Sequence, residues 1–144
     1  MKVVELAPAK LNLTLDVGAK HHDGYHDVTS VMTSAALHDM VTVESKPDGG
    51  IRLSCSDATL PCDESNLAYR AAKLFFDHFG IECEGLHIHL EKHIPMQAGL
   101  GGGSSDAAAV LRALRSLGKQ AILVTHRPEA LKVLDDVTAV SMEA

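Results

Sequence analysis

An α+β fold, an antiparallel sheet with helices packed on one face, is predicted by three features of this 144-residue chain. Strand-like alternation of apolar and polar residues fills the first third, broken by turn residues. Two later segments, Ser65 to Gly80 and Ser105 to Leu117, carry apolar residues at helical spacing. A further alternating run lies between them and leads into a glycine-dense stretch. Strands that bury one face under helices make a two-layer sandwich. A hydrophobic content of 46% is enough for one well-buried core, and the length suits one domain better than two.

The elements follow in chain order. From Lys10 to Val17, Leu11, Leu13, Leu15 and Val17 alternate with Lys10, Asn12, Thr14 and Asp16, which predicts a half-buried strand. Its polar face carries Lys10 and Asn12 on the same side, an arrangement suited to holding a ligand over a sheet. A loop at His21-His22-Asp23-Gly24 precedes strands at about Val28 to Ala35 and Asp39 to Glu44. An Asp48-Gly49-Gly50 turn then leads to Ile51 to Cys55. An antiparallel meander is the simplest connection of these strands. Asp63 or Ser65 is expected to cap a helix whose apolar positions are Leu67, Ala71, Leu74, Phe75 and Phe79, and Gly80 to close it. Leu86, Ile88 and Leu90 alternate with His87 and His89 in one more strand. The last helix is expected from about Ser105, burying Val110, Leu111, Leu114 and Leu117.

Ile94 to Ala108, IPMQAGLGGGSSDAA, holds the chemistry. Four glycines within Gly99 to Gly103 allow positive φ angles and close backbone approach, so several N–H groups converge on one anion. The following helix adds its positive end, and Ser104 and Ser105 are placed to cap it or to reach a phosphate or its metal. The Lys of a P-loop is missing after the last glycine, and a G-x-G-x-x-G dinucleotide fingerprint is absent as well.

Composition excludes other classes. Net charge is −6, with 13 basic residues dispersed among 19 acidic ones, and aromatic content is 3% without Trp. A polynucleotide or an anionic membrane surface would need clustered Lys and Arg, and single strands would need stacking aromatics. Cys55, Cys62 and Cys83 are odd in number and form no C-x-x-C pair, which suits a reducing cytoplasm. No signal-like or membrane-length apolar segment is expected. His87 and His89 fall on the outward face of a strand, where polar residues belong, and nothing completes a tetrahedral zinc set at usual spacing.

Two strings together, APAKLNL at Ala7 to Leu13 and IPMQAGLGGGSSDAA at Ile94 to Ala108, resemble the first and second motifs of the GHMP kinases. That family phosphorylates small alcohols with ATP. DGYH at Asp23 to His26 narrows the resemblance to the branch acting on the 2-hydroxyl of 4-diphosphocytidyl-2-C-methyl-D-erythritol, in non-mevalonate isoprenoid precursor biosynthesis. SNLAYRAA at Ser65 to Ala72 is similar to the family's adenine-side segment.

The resemblance implies a family N-terminal ATP lobe, of the ribosomal protein S5 domain 2-like type, over residues 1–117. It implies Lys10 as the catalytic lysine. Asn12, Tyr25 and His26 would bind substrate, Tyr25 by stacking on cytosine and His26 by hydrogen bonding to it. ATP would be held by Asn66 near the adenine and, around the phosphates, by Pro95, Met96, Gln97, Ala98, Gly99, Leu100, Gly101, Gly102, Gly103, Ser104 and Ser105. Mg²⁺ would arrive with ATP, with Ser105 as its candidate protein ligand.

Residues 118–144 depart from that pattern. A strand at Ala121 to Thr125, a short helix from Pro128 to Leu134 and a strand at Val137 to Val140 are expected, as in a fused or frameshifted tail. The family's Asp general base and C-terminal lobe are not represented. The alternative function is therefore a non-catalytic nucleotide-binding fragment, or another small-molecule kinase of the family. Self-association is expected through the surface that a C-terminal lobe would cover.

Overall fold

The computed structural model describes residues 1–117, and the strand-helix-strand expected within 118–144 lies outside the described residues. Four strands and two helices occur in the order β1 (Lys2–Lys20), β2 (His26–Ser45), β3 (Ile51–Cys55), α1 (Leu67–Phe79), β4 (Leu86–Glu91) and α2 (Gly102–Ser116). The sheet order is β1-β2-β4-β3. The α+β class with both helices on the sheet is as expected; the meander is not. β1 pairs antiparallel with β2 and β2 with β4, but β3 lies at the edge parallel to β4. Parallel neighbours cannot be joined by a tight turn, and α1 supplies the crossover between β3 and β4.

Local chemistry explains the boundaries. The strands expected at Val28 to Ala35 and Asp39 to Glu44 are one continuous β2, because its pairing with β1 continues across the join, with Pro8 opposite His38 and Lys10 opposite Ser34. At the tip, Gly24 takes φ 88° and Asp23 Oδ1 accepts the Tyr25 N–H at 3.0 Å. Helix α1 is capped by Asn66 rather than by Asp63 or Ser65: Asn66 Oδ1 accepts the Ala68 N–H at 2.9 Å. Asp63 closes the preceding turn instead, accepting from the N–H and hydroxyl of Ser65. Gly80 ends α1 in the left-handed region, as expected.

The core lies between the helices and the inner half of the sheet. Ala7, Val41, Val43, Leu86, Ile88 and Leu90 meet Ala68, Ala72, Phe75 and Phe76 of α1 and Ala109, Val110, Ala113 and Leu114 of α2. Alanines at four of the helix positions let the helices sit close to the sheet. Leu111 is exposed, contrary to expectation, because the face that α2 buries runs through Asp106, Ala109, Val110, Ala113 and Leu114.

Beyond about Lys10 and Ser34 the hairpin leaves the body as a two-stranded arm. Leu13 is 64% exposed and Leu11, Leu15 and Val17 are exposed too, so the expected half-buried strand is paired but uncovered. The alternation marks a face, and no described element packs on it.

Candidate functional site

The glycine stretch joins β4 to α2 and wraps a cavity of about 220 Å³ lined by residues 94–104 together with Leu67 and Lys92. Its shape depends on positive φ angles at Gln97 (56°), Gly99 (71°) and Gly101 (71°). Close approach also favours glycine at Gly101, and leaves little room for a side chain at Gly102. A Cβ on Gly101 would lie 2.9 Å from Lys10 Cγ, and one on Gly102 would lie 3.2 Å from Ile94 Cγ2.

Gly101 is the N-cap of α2, which has no side-chain cap hydrogen bond. The helix therefore starts at Gly102, three residues before the expected Ser105, and neither Ser104 nor Ser105 caps it. Its first-turn N–H groups and its dipole remain available to an anion. Ser104 lines the cavity, whereas Ser105 sits one step further into the helix, donating its N–H to Gly101 O at 3.0 Å. The cavity is smaller than the roughly 300–1,000 Å³ typical of whole-ligand pockets. It suits a phosphate chain rather than an entire nucleotide.

Lys10 is attached to this cradle. Its N–H donates to Leu100 O at 2.9 Å, and its side-chain stem runs against Gly101. Asn66 stands on the other side, where its Nδ2 donates to Pro61 O at 2.9 Å while Oδ1 caps α1. The cap fixes the start of α1, whose Leu67 lines the cavity. Lys10, the loop and the Asn66 turn are thus brought together.

Tyr25 and His26 are not. They occupy the far end of the arm, where His26 pairs with Lys20, ten residues beyond Lys10 along β1. At ~3.3 Å per residue a straight strand would separate them from Lys10 by ~33 Å. Register shifts at Pro8/Lys10, Asn12/Thr14 and Val17/Lys20 interrupt the ladder over that span. Tyr25 is 75% exposed, and His26 Nδ1 donates to Gly18 O at 2.9 Å, which leaves Nε2 as the ring's acceptor. Asn12, between the two groups, accepts a hydrogen bond from Ser30 Oγ at 3.3 Å.

The loop also rests on a buried ion cluster that sequence reasoning missed. Lys92 Nζ lies 2.5 Å from Asp39 Oδ2 and 2.6 Å from Asp106 Oδ2, with all three side chains almost wholly buried. Asp39 Oδ1 accepts the N–H groups of His93 (2.5 Å) and Ile94 (2.8 Å) at the entry to the loop. Burial pushes the Asp106 carboxyl up to about 6, against the opposing pull of Lys92. For Asp39, burial also raises, but the Ile94 N–H, Lys92 and the His93 N–H outweigh it and hold the carboxyl below its ordinary value. Lys92 is desolvated too, yet its bonds to Asp106 and Asp39 raise it above an ordinary lysine. The three residues stand 53 and 14 positions apart, too far for any local pattern.

A larger concavity of about 670 Å³ opens beside β1, lined by aliphatic residues, Glu5, His38 and Arg112. Arg112 is already engaged by the Glu5 carboxylate and Leu6 O, and no glycine cradle is present there. Among the described residues no group of three or more His, Cys, Asp or Glu is arranged to hold a metal ion. No described helix is long and apolar enough to cross a membrane.

The model of the GHMP kinases N terminal domain matches residues 66–142. The 4-diphosphocytidyl-2-C-methyl-D-erythritol kinase of Exiguobacterium sibiricum is 50% identical over 119 residues, covering 83% of this chain and 41% of the relative. The enzyme of that name from Brevibacillus brevis is 50% identical over 117 residues, covering 81% and 40%. The chain thus spans about 40% of the length of these curated relatives. Among solved structures, a 4-(cytidine 5'-diphospho)-2C-methyl-D-erythritol kinase superposes with a TM-score of 0.69 at 44% identity, over 80% of this chain and 40% of that one. A homoserine kinase from Cytophaga hutchinsonii, at 23% identity and a TM-score of 0.66 over 84% of this chain and 37% of that one, shares the fold.

Proposed function

The chain belongs to the GHMP kinases, and on that premise we propose that its glycine cradle, Pro95 to Ser105, holds ATP phosphates for transfer to 4-diphosphocytidyl-2-C-methyl-D-erythritol. The acceptor is the substrate's 2-hydroxyl. The observation that carries this reading is the seating of Lys10 on the cradle, through its N–H to Leu100 O and its stem against Gly101. Phosphoryl transfer asks chiefly for positioning and for positive charge around the transferring group. The loop N–H groups and the α2 dipole serve the phosphates, and the Lys10 ammonium serves the charge developing between phosphate and acceptor oxygen.

The donor set fits Mg²⁺ carried in by ATP rather than held by a protein cage, since the described lining of the cradle offers the Ser104 hydroxyl and no carboxylate, and Asp39 and Asp106 beneath it are engaged by Lys92. In this reading Ser105 is the protein ligand, and the ion neutralises phosphate charge. Asn66 flanks the adenine, and Asn12 lies along the path to the substrate. Tyr25 stacks on the cytosine, and His26 bonds to it through Nε2. The arm then has to bring its tip towards the cradle.

The substrate assignment rests on relatives that carry this kinase's name at about half identity. Residues 1–117 are the ATP lobe and 118–144 an appended tail; the family match running to residue 142 weighs against a wholly foreign tail. The uncovered apolar residues of the arm support self-association. Cytoplasmic residence accompanies the use of ATP and the thiols Cys55 and Cys62.

A second reading, nucleotide binding without turnover, is favoured by the chain spanning only about 40% of its relatives. Titration with MgATP, followed by ADP release measured with and without substrate, separates the two. Turnover that falls ~10²-fold or more in Lys10→Ala supports the kinase. Binding without ADP release supports the second reading, and the absence of binding ends both.

A further inference from the structure

Lys92 lines the base of the cradle, and its ammonium is held between two buried carboxylates. Those carboxylates belong to the two sides of the loop. Asp39, on β2, holds the entry through the N–H groups of His93 and Ile94. Asp106, in α2, holds the exit, one turn beyond the N–H groups that open towards the cavity. The join is tight, since a Cβ on Gly102 would lie 3.4 Å from Asp39 Oδ2.

A buried cation between two buried carboxylates is a poor source of net stability, because desolvation offsets most of the attraction. What it supplies is position. Asp106 Oδ1 accepts no hydrogen bond among the described residues, and its Oδ2 is held by Lys92 at 2.6 Å. Between His93 and Gly101 the chain has two positive-φ glycines and a positive-φ Gln97, so the loop has little local means to fix the distance between its ends. A phosphate cradle works only if its donors are held in place before the ligand arrives.

We infer that Lys92, Asp39 and Asp106 form a buried clamp that sets the spacing between the end of β4 and the start of α2, and thereby the affinity of the cradle for phosphate. The three are positioning residues, acting through the two ends of the loop rather than as phosphate donors. The inference rests on the reading of Pro95 to Ser105 as a phosphate site, and its test separates the two.

Asp106→Ala is the informative variant, because it leaves Lys92 paired with Asp39 and the cluster neutral. Amide hydrogen exchange in the full chain without nucleotide reads the clamp itself, and calorimetric titration with MgATP reads its consequence. Exchange at Ile94 and Ser105 is expected to accelerate and ATP affinity to fall about fivefold or more. Asp106→Asn, which keeps an acceptor for Lys92, is expected to restore both. Should the alanine variant not fold, Asp106→Ser, too short to reach Lys92, carries the same expectation. Unchanged exchange in Asp106→Ala overturns the clamp, as does faster exchange with unaltered ATP affinity or a failure of Asp106→Asn to restore either. A parent chain that binds no ATP overturns the phosphate reading and the affinity half of the inference, while the exchange data still decide the clamp.

Discussion

The body and the arm of this molecule use the same two-residue alternation and arrive at opposite outcomes. In β4, Leu86, Ile88 and Leu90 point under two helices and are buried; in the outer part of β1, Leu11, Leu13, Leu15 and Val17 point at nothing described and are exposed. Alternation therefore states which residues share a face, while burial depends on what packs there. The difference also divides the candidate site. Lys10, the cradle and Asn66 are held by the packed body, whereas Tyr25 and His26 ride on the arm.

That division can be tested by substitution, and the largest effect belongs beneath the loop. Lys92→Met strands two buried carboxylates and should cost about 3–5 kcal/mol in denaturant unfolding. Leu114→Ala, in the body, should cost about 2–5 kcal/mol by the same measurement. Asp106 predicts a pH dependence. Its carboxyl is raised when folded, so its stabilising contribution is complete below the unfolded value near 3.8 and is lost as pH rises through about 6. Melting temperatures from pH 4 to 7 should show this loss, on the order of 2–3 kcal/mol, and Asp106→Asn should remove it. Asn66→Ala should cost about 1 kcal/mol through the lost cap. Leu13→Ala, on the arm, should change stability by less than about 0.5 kcal/mol. A cost for Leu13 comparable with that for Leu114 would break the comparison.

Much of the body was legible because its signals are local. Gly80 ends α1 as its position predicts, and four glycines at the start of an alanine-rich helix mark the cradle. The parallel edge strand was not legible, since alternation in Ile51 to Cys55 is silent about its neighbour and pairing with β4 is decided across the α1 crossover. Asp63, Ser65 and Asn66, within four residues, all fit the cap by type, and only the turn geometry chooses Asn66 among them. The Lys92 cluster was hidden more deeply. Charged residues read as surface by default, and Asp39, Lys92 and Asp106 meet only when β2, β4 and α2 pack. The one available hint was Lys92 directly after a strand of buried alternation.

The central claim is that a glycine-shaped cradle seated on Lys10 binds the phosphates of ATP, and Gly101→Val tests it most directly. The substitution places a side chain where a Cβ alone would lie 2.9 Å from Lys10 Cγ, at a φ of 71°. The expected result is calorimetric binding of MgATP by the parent, and binding about tenfold weaker or absent in a variant whose far-UV circular dichroism is unchanged. A folded Gly101→Val that binds MgATP as tightly as the parent would contradict the account.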